Sequence, residues 1–165
     1  MNQELSIRPA RLSIQNGKKA PLPFSDPEYD RRLSRLRSLM DQSDVGAMLL
    51  TSMHNVAYYS GFLYCSFGRP YACVVTQDRC VTISANIDYG QPQRRSVGEN
   101  IVYTDWQQNN FWRAVRETCG SRVRVGIEAD HMTLSTRSTL SDFLPETEMV
   151  DLHGQVMRLR MVKSE

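Results

Sequence analysis

Between residues 45 and 162, short apolar runs of strand length alternate with segments whose apolar residues recur at helical spacing. That alternation constrains the fold more than any other feature. Val45 to Thr51 is one such run, and His54 to Ser60, stopped by Gly61, fits a brief helix after it. Tyr71 to Thr76 and Cys80 to Ala85 are β-rich and separated by Gln77-Asp78-Arg79, which predicts a hairpin and antiparallel pairing near the middle of the chain. Asn86 to Gly98, with Gly90 and Pro92, reads as a connecting loop with a short helix around Gln91 to Ser96. Ile101 to Thr104, Val123 to Glu128 and Glu148 to Leu152 read as strands. Asn110 to Thr118, Leu134 to Leu144 before Pro145, and Gln155 to Met161 read as helices. Such an order predicts the α/β class, a mixed β-sheet flanked by helices.

Upstream, Ser25-Asp26-Pro27-Glu28 has the Ser-x-x-Glu form of a capping box, with proline in the first turn where a missing N–H costs nothing. Tyr29, Leu33, Leu36 and Met40 then follow at helical spacing, and arginines fill the other face. Residues 1–23 are polar, carry Pro9, Pro21 and Pro23, and lack a period, so they predict a flexible amino-terminal arm or loosely packed lead-in. The folded domain is expected over 24–155. Val156 to Val162 has an apolar helical pattern, yet Lys163-Ser164-Glu165 carries no capping signal, so 156–165 reads as the start of a linker helix to a further domain.

A length of 165 residues suits one domain whose core needs no disulfide or metal staple. Twenty basic residues nearly cancel eighteen acidic ones and are scattered, which disfavours sequence-independent nucleic-acid binding. Cys65, Cys73, Cys80 and Cys119 have no CxxC spacing and predict buried thiols rather than a disulfide or metal set. Met1 to Pro23 does not have the form of a signal peptide, and no apolar run approaches membrane-spanning length; together with the thiols this predicts a cytoplasmic protein without membrane contact.

Little in the chain offers catalysis. Its three histidines form no spaced metal constellation. His131, close after Glu128 and Asp130, falls where a strand exits into a loop and polar groups collect for hydrogen bonding. His54, beside Asn55, reads as a cap or a core hydrogen-bonding residue, and His153 lies at a turn without an identifiable partner. Neither a Gly-rich phosphate loop nor a GxSxG elbow is present. What remains is Tyr58 to Tyr71, with six aromatics in fourteen residues against 8% for the chain. One reading packs these rings over the sheet edge, with Arg69 in a structural salt bridge. The other notes that Arg69, between Gly68 and Pro70, projects from a bent segment. With Phe67 two residues before it, Arg69 suits a small anion with an apolar portion, the guanidinium forking onto a carboxylate.

Thr51 to Tyr71 closely resembles the amino-terminal domain of the creatinase/prolidase (pita-bread) family, specifically that of creatinases, the creatine amidinohydrolases. The likeness continues through Ile83 to Asp88, Gly90-Gln91-Pro92, Arg94-Arg95, Asn100 to Trp106, Val125 to Glu128, Asp130-His131 and Met157 to Ser164; Tyr89 and Gln93 depart from the Asp-Gly-Gly-Gln-Pro-Trp stretch of relatives. The resemblance implies a homodimeric hydrolase that converts creatine and water to sarcosine and urea, without metal or other cofactor. It places the catalytic residues in a larger carboxy-terminal domain, so none lies in this chain. It also implies that Phe67 and Arg69 reach the partner subunit's active site, Arg69 holding the carboxylate of creatine. Other pita-bread activities of the aminopeptidase P, prolidase or ectoine-hydrolase type remain open, as does a non-catalytic binding or dimerisation module.

Overall fold

The computed structural model describes residues 9–64, 68–107, 109–121 and 124–162. In chain order its strands and helices are β1 (Arg11–Leu12), α1 (Asp26–Gln42), β2 (Ala47–Leu50), α2 (Met53–Ser60), β3 (Ala72–Thr76), β4 (Cys80–Ala85), α3 (Gln91–Arg95), β5 (Glu99–Tyr103), α4 (Asn110–Cys119), β6 (Arg124–Ile127), α5 (Leu134–Phe143), β7 (Glu148–Asp151) and α6 (His153–Met161). Short 3-10 turns follow β4 at Asn86–Asp88 and β6 at Ala129–His131.

The strands form one mixed sheet in the order β1-β5-β4-β3-β2-β6-β7. The hairpin predicted around Gln77 is β3 and β4, paired antiparallel with Cys73 opposite Thr82. β3 also runs antiparallel to β2, whereas β4–β5, β2–β6 and β6–β7 are parallel. Helices cover both faces, so β2, β3 and β4 are buried at every position; β2 is wholly apolar and β3 apolar up to Thr76, while β4 buries Thr82 and Ser84 between apolar residues. In β2, Met48 and Leu50 face a core shared with Leu36 and Met40 of α1, Val56 of α2 and Val156 of α6. Ala47 and Leu49 face the opposite core, with Phe111 and Val115 of α4 and Leu140 of α5.

Two local expectations are corrected. Ser25 does stand at the start of α1, but its side chain makes no cap bond. Glu28 turns away from the backbone and accepts from Arg31 Nε at 2.8 Å and Arg32 Nε at 2.7 Å. These bonds, Arg31's before Arg32's, hold the Glu28 carboxyl down at about 2. Arg32, expected on the solvent face, is only 5% exposed, with its guanidinium 4.1 Å from the Phe24 ring centroid and 4.2 Å from that of Tyr58. Its stem and planar head suit it to stack between aromatic rings.

Residues 9–23, read from sequence as an arm or lead-in, lie along the body. β1 pairs antiparallel with β5, Thr104 N donates to Ala10 O at 3.0 Å, and Lys19 Nζ donates to Ser96 O at 2.7 Å.

α2 begins at Ser52, whose hydroxyl accepts from Asn55 N, and ends at Gly61 in the left-handed region at φ 82°. A Cβ at Gly61 would stand 2.9 Å from the Tyr29 hydroxyl, so this stop needs glycine for backbone and for space. Glu128, 1% exposed at the end of β6, accepts from Thr51 N at 2.6 Å, Ser52 N at 2.9 Å, Ser52 Oγ at 2.6 Å and Asn55 Nδ2. Arg160 Nη1 of α6 donates to Asn55 Oδ1 at 3.1 Å. This network fixes the start of α2, and with it the run that leads into the aromatic segment.

Candidate functional site

Beyond Gly61 the chain leaves α2 and returns to the sheet at β3, and the aromatic residues of this stretch build a floor. Tyr71 stacks on Phe62 at a centroid distance of 5.4 Å and on Tyr64 at 4.4 Å, with interplanar angles of 28° and 23°. Offset stacking of this kind stabilises rings beyond their buried area. Tyr64 Oη donates to Thr51 O at 2.9 Å, which ties the floor back to the start of α2. Burial raises the Tyr64 and Tyr71 hydroxyls above their ordinary range, so both are neutral at physiological pH.

Above this floor lies a cavity of about 420 Å³, within the size range of small-molecule sites, lined among others by Phe62, Tyr64, Arg69, Tyr71, Ile87 and Asp88. Gly68 takes φ 76° with nothing within 4 Å of a built Cβ, so glycine is needed there for the backbone turn alone. The turn sends Arg69 out beside the cavity, where Nη1 meets Asp105 Oδ1 at 3.0 Å. The Arg69 side chain is 53% exposed and that of Asp105 27%. Thus Arg69 makes a salt bridge and also lines a concave site. Tyr103 Oη donates to Pro70 O at 3.0 Å and secures the next residue. Burial raises the Asp88 carboxyl, opposed by a hydrogen bond from the Ala85 backbone and reinforced by the Asp105 charge.

Phe67, the second residue expected in the site, lies outside the described residues, as does Cys65. Sequence reasoning missed Asp88, Tyr103 and Asp105. The discoverable sign was their place at or just beyond the carboxyl ends of the parallel neighbours β4 and β5, where α/β sheets commonly present ligand groups.

The histidines lie elsewhere. His54 is not the cap of α2, since Ser52 fills that place; it is exposed at the wall of a separate cavity of about 630 Å³ beside Phe24, Arg32 and Tyr58. His131 Nδ1 is 3.2 Å from Thr51 Oγ1. His153 gains the partner its sequence context did not disclose, Asp130 Oδ1 at 2.7 Å. Cys73, Cys80 and Cys119 are buried thiols, with the sulfurs of Cys73 and Cys80 3.6 Å apart. Among the described residues no group of three or more His, Cys, Asp or Glu is placed to hold a metal ion, and no helix is long and apolar enough to cross a membrane.

Residues 32–162 match the model of the creatinase/prolidase N-terminal domain. The whole chain is 48% identical over 169 residues to the creatinase of Bacillus sp. strain B-0618, covering 41% of that protein. It is 28% identical over 133 residues, 81% of this chain, to an uncharacterized peptidase of Bacillus subtilis strain 168, covering 36% of it. The chain therefore spans about two fifths of the length of these curated relatives. Among solved structures it is similar to a proline dipeptidase from Streptococcus pneumoniae, with a TM-score of 0.71 at 16% identity over 79% of this chain and 98% of that one. The prolidase of Pyrococcus horikoshii OT3 gives a TM-score of 0.67 at 18% identity over 82% of this chain and 36% of that one. At such identities these two establish the fold. With the family model covering most of its length and a relative sharing nearly half its residues, the chain belongs to the creatinase/prolidase N-terminal domain family.

Proposed function

We propose that this chain is the amino-terminal domain of a cytoplasmic, homodimeric creatine amidinohydrolase, in which Phe67 and Arg69 hold the carboxylate end of creatine for an active site completed by the partner subunit. The observation that carries this reading is Arg69 itself: a half-exposed guanidinium, presented by a glycine turn, beside an aromatic-floored cavity large enough for a small zwitterion. Its identity to a protein named as a creatinase supports the choice of substrate within the family.

Creatine joins a carboxylate to a cationic amidine through an N-methyl nitrogen. Hydrolysis breaks the bond between the amidine carbon and that nitrogen; the water oxygen ends on urea, and sarcosine leaves with the carboxylate. None of this chemistry needs a group from the present chain. Arg69 acts at the other end, and fixing the remote carboxylate limits the orientations of the amidine carbon toward its attacking water. A planar guanidinium is suited to this, because two parallel N–H donors set direction as well as distance.

The full-length protein is expected to release urea from creatine, and Arg69→Ala to lower kcat/KM by about 30- to 100-fold, the loss of a charge-assisted hydrogen-bonded pair. Creatine turnover indifferent to the substitution would overturn the role. The similarity to the Bacillus subtilis peptidase favours a second reading, peptide hydrolysis, for which aminoacyl-proline dipeptides are the test substrates. Proline release from such dipeptides, with no urea from creatine, would select it.

A further inference from the structure

We infer that Asp105 is the positioning residue for Arg69, and that the carboxyl end of β5 is a platform setting the direction of the guanidinium. This rests on the carboxylate-binding reading of Arg69.

A salt bridge between partly exposed residues is by itself weak evidence, since holding two long side chains together offsets most of the attraction. Here one partner is already held. Thr104, the residue before Asp105, donates from N to Ala10 O at 3.0 Å and from Oγ1 to Pro9 O at 2.8 Å. Its carbonyl accepts from Asn110 Nδ2 of α4 at 3.0 Å. On the other side, Trp106 Nε1 donates to Pro9 O at 3.1 Å. Asp105 is short and stands on backbone clamped between the lead-in strand and α4, so the bridge orders chiefly the arginine. A second tie runs in parallel, from Tyr103 Oη to the carbonyl of Pro70. A hydrogen bond from Tyr103 and an ion pair from Asp105, two positions on at the same strand end, thus converge on the backbone and side chain of Arg69-Pro70.

The contact runs through Nη1. A guanidinium carries five N–H donors in a fixed fork, so the Nε and Nη2 edge can still pair with a carboxylate in two parallel bonds. Asp105 therefore orients that edge without competing for it. It also removes in advance the rotamer freedom that an exposed arginine would otherwise lose when ligand binds.

The test is a double-mutant cycle on the full-length protein, measuring kcat/KM for creatine in wild type, Asp105→Ala, Arg69→Ala and the double variant, with unfolding midpoints alongside. Asp105→Ala is expected to lower kcat/KM about tenfold when Arg69 is present and less than about twofold when it is absent. Asp105→Asn, which keeps an acceptor oxygen, is expected to restore most of the activity that alanine loses; if the alanine variant does not fold, Asp105→Ser, too short to reach Nη1, takes its place in the cycle with the same expected losses. Equal losses in both backgrounds, or no loss in either, overturn the positioning role. Loss on Arg69→Ala with indifference to Asp105→Ala overturns this inference alone, whereas indifference to Arg69→Ala overturns the carboxylate reading and this inference with it.

Discussion

Single residues here do structural work that their neighbours in sequence conceal. Glu128 is a fully buried carboxylate whose charge is matched by donors from Thr51, Ser52 and Asn55. Glu128→Gln would turn an amide N–H₂ toward groups that all donate, and the expected cost is about 3 kcal/mol of stability, read from chemical denaturation. An unchanged denaturation midpoint would show that the network contributes nothing. The sequence did predict hydrogen bonding by polar residues at this strand exit. It could not name the partners, because they lie more than seventy positions away. Arg69 has the same character: its place between Gly68 and Pro70 marks a projecting side chain, but its partner Asp105 belongs to another strand end. Local composition discloses the group that protrudes and is silent on what holds it.

At the scale of elements, the pattern was legible wherever short-range physics decides. The β3–β4 hairpin follows from its three-residue connection, α2 from its glycine stop, and α1 from its apolar spacing. The capping box at α1 was a misreading of the same residues, because arginines one turn on offer Glu28 a stronger charged partner than the backbone does. The consequence is a pH dependence. The Glu28 carboxyl is depressed from 4.5 to about 2 in the folded protein, so its clamp stabilises fully above about pH 4.5 and is lost as pH falls toward 2. Glu28→Gln should flatten the acid-unfolding profile in that window; a profile identical to wild type would refute the clamp. Strand order was not legible, since strands buried on both faces lose their period of two and pairing depends on distant partners. β1, only two residues long, gives no pattern at all, yet it closes one edge of the sheet and steadies the β5 end beneath Arg69.

Across the whole molecule, the sheet with helices on both faces is a scaffold, and the candidate site sits where the α2–β3 connection meets the ends of β4 and β5. The aromatic floor and the arginine come from one stretch and the anchoring aspartate from another more than thirty positions on, and only the fold unites them. In the proposed division of labour this domain supplies orientation and leaves bond breaking to another. That claim is tested most directly by comparing creatine with N,N-dimethylguanidine, which is creatine without its carboxylate, as substrates of the full-length wild type and Arg69→Ala. Arg69→Ala is predicted to cost about 30- to 100-fold in kcat/KM for urea release from creatine and less than about threefold from N,N-dimethylguanidine. Equal losses on the two substrates would contradict a carboxylate clamp at Arg69.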